Sequence, residues 1–292
     1  MSIAQQQQPQ IVPAAPSWRR RFFAHPVTRI VTGMLFVMLA TFGPLGLIGA
    51  TVPKSLRPVW PWLVAATMSV LAYRFLIRRT EKRPLTELSL PGAPREAAAG
   101  VALGAGLGLL IAGVLAVMGV FAVSGSNGWT TMFTSIPEQT MVACSEELIF
   151  RALLFRLVLE RWGSRNALIV SFVMFALAHL PNDHVTVLGI LVTGVAGVTL
   201  SACYLLTRRL WLSIGMHFGW NYLYDGLFAV PVSGHAARGW LAVSMQGPEW
   251  LTGGSYGVEA SAVTLVAWTA AAIVLLRRVP KQGPLDVLAH QR

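Results

Sequence analysis

One stretch of this 292-residue chain carries charge where its surroundings are apolar: Met141-Val-Ala-Cys-Ser-Glu146-Glu147-Leu-Ile-Phe-Arg151-Ala-Leu-Leu-Phe155. An ionised side chain at the centre of a membrane helix costs about 2.5–3.5 kcal/mol on insertion scales, so three together approach roughly 10 kcal/mol before pairing. That is comparable to the net stability of a whole fold. Glu147 and Arg151 lie four residues apart, on one helix face, and are placed to form an ion pair. Glu146 turns about 100° away from Glu147 at 3.6 residues per turn and has no local counter-charge. A carboxylate left unpaired in an apolar site is the kind that serves as a general base or acid.

Two further apolar runs carry imidazole: Phe172-Val-Met-Phe175-Ala-Leu-Ala-His179-Leu-Pro181, and Gly215-Met-His217-Phe-Gly-Trp-Asn221. His217 and Asn221 again share a face at i, i+4. A single histidine in an apolar helix is most often a hydrogen-bonded packing residue, but two of them beside Asn221 and the acidic pair form a constellation. Such a set can activate water. Alternatively, Glu146, His179 and His217 can supply three ligands to Zn²⁺ with water in the fourth position. The His-Glu-x-x-His helix of zinc peptidases is absent, and the metal-free chemistry, with no cofactor, is the favoured reading.

The elements that must position these groups follow from composition. Apolar residues make up 54% of the chain and charged residues 12%, against about 25% charged in soluble domains. Eight spans of about 20 residues would need about 160 apolar residues, which this chain can supply. The expected fold is all-α: a polytopic membrane protein with apolar runs at 30–50, 59–77, 98–122, 137–158, 167–180, 185–207, 211–229 and 257–276. The net charge of +11 then orients the chain. Arg19, Arg20, Arg21 and Arg29 precede the first run, and Arg78, Arg79, Lys82, Arg83 and Arg95 lie between the second and third. Arg156, Arg161 and Arg165 join the fourth to the fifth, Arg208 and Arg209 the sixth to the seventh, and Arg277, Arg278 and Lys281 follow the eighth. The alternate connections hold only Lys54, Arg57 and Arg238. By the positive-inside rule both termini are cytoplasmic, and no basic stripe outside the spans invites nucleic acid. Counted from the nearest basic boundary, Glu146 lies about 15 Å deep, His179 about 21 Å and His217 about 12 Å. These depths straddle the middle of a hydrocarbon core about 30 Å thick.

At these residues the sequence resembles the CPBP family of CAAX proteases and bacteriocin-processing membrane proteins, also called Abi. The family pattern is met by Glu146-Glu147-x-x-x-Arg151, Phe175-x-x-x-His179 and His217-x-x-x-Asn221, three motifs in order on three runs. The likeness covers about 137–225. It implies a glutamate-dependent intramembrane endopeptidase in which Glu146 and His179 activate water. His217 and Asn221 would hold the oxyanion, and Glu147 and Arg151 would position Glu146 or the substrate's end. It also implies membrane-associated peptide or protein substrates, prenylated in some members, in a cytoplasmic-type cell membrane.

Four regions are expected: a disordered cytoplasmic tail over 1–28, N-terminal transmembrane helices over 29–130, the catalytic core over 131–229, and an external loop, last span and cytoplasmic tail over 230–292. Gly100, Gly104 and Gly108 repeat at i+4, spacing that favours a close helix contact. Gly253-Gly-Ser255-Tyr-Gly257 matches a nucleophile elbow but lies in a glycine-rich loop and reads as loop. Asp225 lacks a second intramembrane aspartate to make a dyad, and Cys144 and Cys203 build neither a disulfide framework nor a Cys-rich metal site. The alternative reading is a non-catalytic membrane protein, an immunity binder or a transporter, although no inverted repeat supports transport.

Overall fold

The computed structural model describes residues 25–280 together with Trp18. Apart from Trp18, the expected tail lies outside the described residues as far as position 24, and so do residues 281–292. Helix α1 spans Pro26–Thr51, α2 Trp60–Thr80 and α3 Ala93–Val117. Helix α4 spans Ile136–Glu147, α5 Arg156–Ala178, α6 Val187–Thr207, α7 Trp211–Tyr222 and α8 Ala262–Arg278. Residues 26–28 therefore belong to a helix, not to the tail, because Pro26 is preset for a first helical turn. Proline likewise starts α2, α3 and α4. Thr186 caps α6 by accepting from the Gly189 N–H, and Ser261 caps α8 by accepting from Val263, each satisfying an amide the helix cannot.

Among the described residues, α1, α2, α3 and α6 are each long and apolar enough to cross a membrane. The other four apolar runs fall on helical segments that are shorter, interrupted or charged. Gly163, with φ of 80° and ψ of 172°, breaks α5. A side chain rarely adopts that φ, so this one residue makes the joint between the fourth and fifth runs.

The fold is mostly helical, yet it departs from the all-α expectation at one end. Phe121–Ser126 (β1) pairs antiparallel with Leu241–Met245 (β2), Phe121 facing Met245 and Ser126 facing Leu241, with a bulge between Val123 and Gly125. The third apolar run thus stops being helix at Val117, and part of the 230–256 loop is strand. Neither strand alternates buried with exposed residues, so a period of two gave no signal there.

The glycine spacing acts as expected. A Cβ on Gly100 would fall 2.3 Å from the Leu212 carbonyl oxygen, and one on Gly104 2.1 Å from that of Met216. Reciprocally, a Cβ on Gly215 would meet Ala97 O at 2.2 Å and one on Gly219 would meet Val101 O at 2.5 Å. Helices α3 and α7 therefore touch backbone to backbone, which small residues alone permit. This seats the helix bearing His217 and Asn221.

Opposite the β-ribbon, the basic boundaries gather. Glu81 accepts from Arg29 at 2.6 Å, Arg156 at 2.7 Å and Arg83 at 2.5 Å. Arg83 also pairs with Glu87 at 2.8 Å, and the Tyr73 hydroxyl donates to Glu87. Ends of α1, α2 and α5 are thus tied at one face.

Candidate active site

Two of the three helices that carry polar motifs change their winding beside them. Helix α4 passes at Glu147 into a π-helical stretch, Leu148–Phe155, and α7 passes at Tyr222 into another, Leu223–Leu227. Wide turns of this kind are frequent at functional sites. Every residue of the first stretch is buried, including Arg151.

Glu147 and Arg151 form the ion pair that their spacing predicts, at 3.0 Å with both side chains fully buried. Arg151 also donates to the Gly197 carbonyl at 3.2 Å and lies 4.4 Å over the Phe175 ring. The pair does not reach Glu146. Instead Glu147 Oε1 accepts from His217 Nδ1 at 2.9 Å, so a chain Arg151–Glu147–His217 holds the imidazole. A carboxylate accepts only, which places the proton on Nδ1 and turns Nε2 toward Glu146, 3.9 Å from its Oε2. Glu146 Oε2 is itself buried without a hydrogen-bond partner.

His179 is half-buried at the C-cap of α5, with Nδ1 2.8 Å from the Phe175 carbonyl. A carbonyl can only accept, so Nδ1 is the protonated nitrogen and Nε2 keeps its lone pair. Phe175 is the common neighbour. Its ring centroid lies 4.8 Å from that of His179 and 6.4 Å from that of His217.

Glu146, His179, His217 and Asn221 all line one cavity of about 640 Å³. The uneven depths counted from the basic boundaries do not keep them apart, because the break at Gly163 restarts the helix leading to His179. Glu146 and His179 share the cavity without a direct hydrogen bond, whereas Glu147 and Arg151 lie behind it. The far wall is apolar and comes partly from α1 and α2, through Met34, Met38, Phe42 and Trp62. The N-terminal helices, which carry no motif, thus complete the chamber. Among the described residues no three His, Cys, Asp or Glu side chains gather as a metal site.

Gln139 went unrecognised in the sequence, and Asp225 was weighed there only as half of an aspartyl dyad. Asn221 Nδ2 donates to Gln139 Oε1 at 3.1 Å, and Gln139 Nε2 donates to Asp225 Oδ2 at 2.8 Å. Gln139 lies seven residues before Glu146, two turns along the same face, and Asp225 continues the i+4 series from His217 through Asn221. Helical spacing was their one available signal. Ser255 of the elbow-like sequence is exposed, within a short 3₁₀ turn flanked by positive-φ glycines, and does not line the cavity.

Residues 127–223 match the family model described as type II CAAX prenyl endopeptidase Rce1-like. Over this third of the chain the sequence is similar to the CAAX proteases. This bears out the CPBP resemblance over the segment that holds all three motifs, and the matched family is one of proteases. No curated protein and no solved structure matches the chain.

Proposed function

We propose that this chain is a multi-pass cell-membrane endopeptidase that hydrolyses peptide bonds of membrane-associated substrates by metal-free water activation. The observation that carries this reading is the buried, unpartnered Glu146 oxygen on a cavity wall shared with His179, His217 and Asn221. Glu146, with His179 Nε2, takes a proton from water as its oxygen attacks the scissile carbonyl. The carbonyl oxygen becomes an oxyanion, which accepts hydrogen bonds from His217 Nε2 and Asn221 Nδ2, donors fixed before the reaction in a dry site. To donate through Nε2 while Nδ1 donates to Glu147, His217 takes the imidazolium form, with both glutamates beside it. Collapse of the tetrahedral intermediate returns the proton to the leaving amine. The Met34, Met38, Phe42 and Trp62 wall suits a substrate with an apolar tail. Eight spans with both termini cytoplasmic complete this reading, and the gathering of Arg29, Arg83 and Arg156 at one face supports that orientation.

The test is cleavage of an internally quenched peptide ending in a prenylated CAAX box by the purified full-length protein. Replacing Glu146→Gln keeps shape and removes the base, and is expected to lower kcat by about 10²–10⁴-fold. Undiminished cleavage in excess chelator is expected as well, and loss of activity there would instead favour Glu146, His179 and His217 as metal ligands. A wild-type chain that cleaves nothing, or a Glu146→Gln variant with full activity, would return the choice to a binding or transport protein.

A further inference from the structure

Asn221, Gln139 and Asp225 form a buried chain of hydrogen bonds, with Asn221 and Gln139 on the cavity wall and Asp225 behind it. Their exposures are 6%, 7% and 4%. Beyond Asp225 the chain ends on the Arg238 backbone N–H, which donates to Oδ1 at 3.3 Å. Both groups that touch Asp225 are thus N–H donors, the surroundings of an ionised carboxylate. A carboxylate only accepts, whereas a carboxamide has an acceptor at one corner and a donor at the other. The charge at position 225 therefore leaves one arrangement for both amides. Gln139 must turn its nitrogen to Asp225, which leaves its oxygen for Asn221, which must in turn present its nitrogen. Without the charge, both amides could rotate together and still satisfy every bond.

We propose that Asp225 and Gln139 are positioning residues that set the polarity of the Asn221 amide, binding one hydrogen of its Nδ2 at Gln139 and leaving the second as the donor to the cavity. This rests on Asn221 being an oxyanion donor. A rotated Asn221 would offer the same spot a carbonyl oxygen, which repels an oxyanion.

The test uses the full-length protein in nanodiscs, the quenched prenylated peptide, and selective ¹⁵N labelling of asparagine side chains. Asp225→Asn keeps size and removes the polarity, and kcat should fall about 10–100-fold with KM within about threefold, as expected where the lost interaction exists only in the transition state. The Asn221 side-chain amide resonance should move. Adding Gln139→Glu to Asp225→Asn restores a carboxylate inside the chain, now accepting from both neighbours. The double variant should recover kcat to within about fivefold of wild type and return the resonance. An Asp225→Asn variant with unchanged kcat and resonance overturns the proposal, as does a double variant no better than Asp225→Asn. Should Asp225→Asn fail to fold, the double variant decides alone, and a loss above about tenfold overturns the proposal. If the wild-type protein cleaves no peptide, the endopeptidase reading fails separately. The amide resonance then decides: moved and restored supports the relay, unmoved overturns it.

Discussion

At the scale of residues, the site sets side by side a carboxylate held on one oxygen and a carboxylate held on neither, each with a buried Oε2 that has no hydrogen-bond partner. Glu147 takes Arg151 and His217 on a single oxygen, while Glu146 keeps a buried oxygen free on the cavity wall. Neighbours in sequence therefore have opposite work, because a helix sends adjacent residues about 100° apart. Removing Glu147 leaves Arg151 a buried charge without its partner, so Glu147→Gln should destabilise the fold by about 3–5 kcal/mol. Combining it with Arg151→Met should recover most of that loss, since the uncompensated charge goes too, and thermal unfolding in detergent measures both. Glu146 and His179, if they act on one water, should behave as a unit: Glu146→Gln and His179→Ala together should cost kcat no more than the worse single change, within about threefold. Additive losses would mean the two do not share a step.

At the scale of elements, precision comes from backbone contact. The α3–α7 seam has no room for side chains at Gly100, Gly104, Gly215 and Gly219, so α7 cannot slide without a clash, and His217 and Asn221 hold their height. A valine at Gly104 would meet the Met216 backbone, which, unlike a flexible side chain, cannot yield. Overpacking of that sort costs typically about 1–3 kcal/mol. Gly104→Val should lower the melting midpoint and reduce kcat though it touches no polar group of the site, while Gly106→Ala, whose Cβ meets nothing within 4 Å, should leave kcat unchanged and raise the midpoint slightly, since alanine suits a helix interior better than glycine. Winding matters as well. The two π-helical stretches start at Leu148 and Leu223, immediately after the polar turns, and a motif written in i, i+4 steps gives no hint of them.

At the scale of the whole molecule, the basic end is latched by ion pairs and the opposite end by the β1–β2 ribbon, with the cavity between. The latch has a pH signature. Burial pushes the Glu87 carboxyl up from its ordinary 4.5, but the Arg83 hydrogen bonds and charge, with the Tyr73 hydroxyl, outweigh it and bring it to about 2. A carboxyl lowered on folding contributes stability above its unfolded value and loses it as pH falls through its folded one. The latch should therefore weaken between pH 4.5 and about 2. Melting midpoints over that range should fall less steeply in Glu87→Gln than in wild type, and parallel profiles would mean Glu87 carries no such coupling.

Much of this was written in residue order. The expense of charge in lipid singled out Glu146, Glu147 and Arg151, the i, i+4 rule joined Glu147 to Arg151 and His217 to Asn221, and glycine spacing announced a close contact on α3 without naming α7 as its partner, because all of these signals act over one or two helical turns. What lies beyond that range waited for the tertiary structure. Glu147 found His217 across 70 positions of chain, Gln139 found Asp225 across 86, and the motif-free α1 and α2 walled the cavity. Such pairings depend on how helices are laid side by side, and the apolar faces that lay them together read alike whichever neighbour they meet.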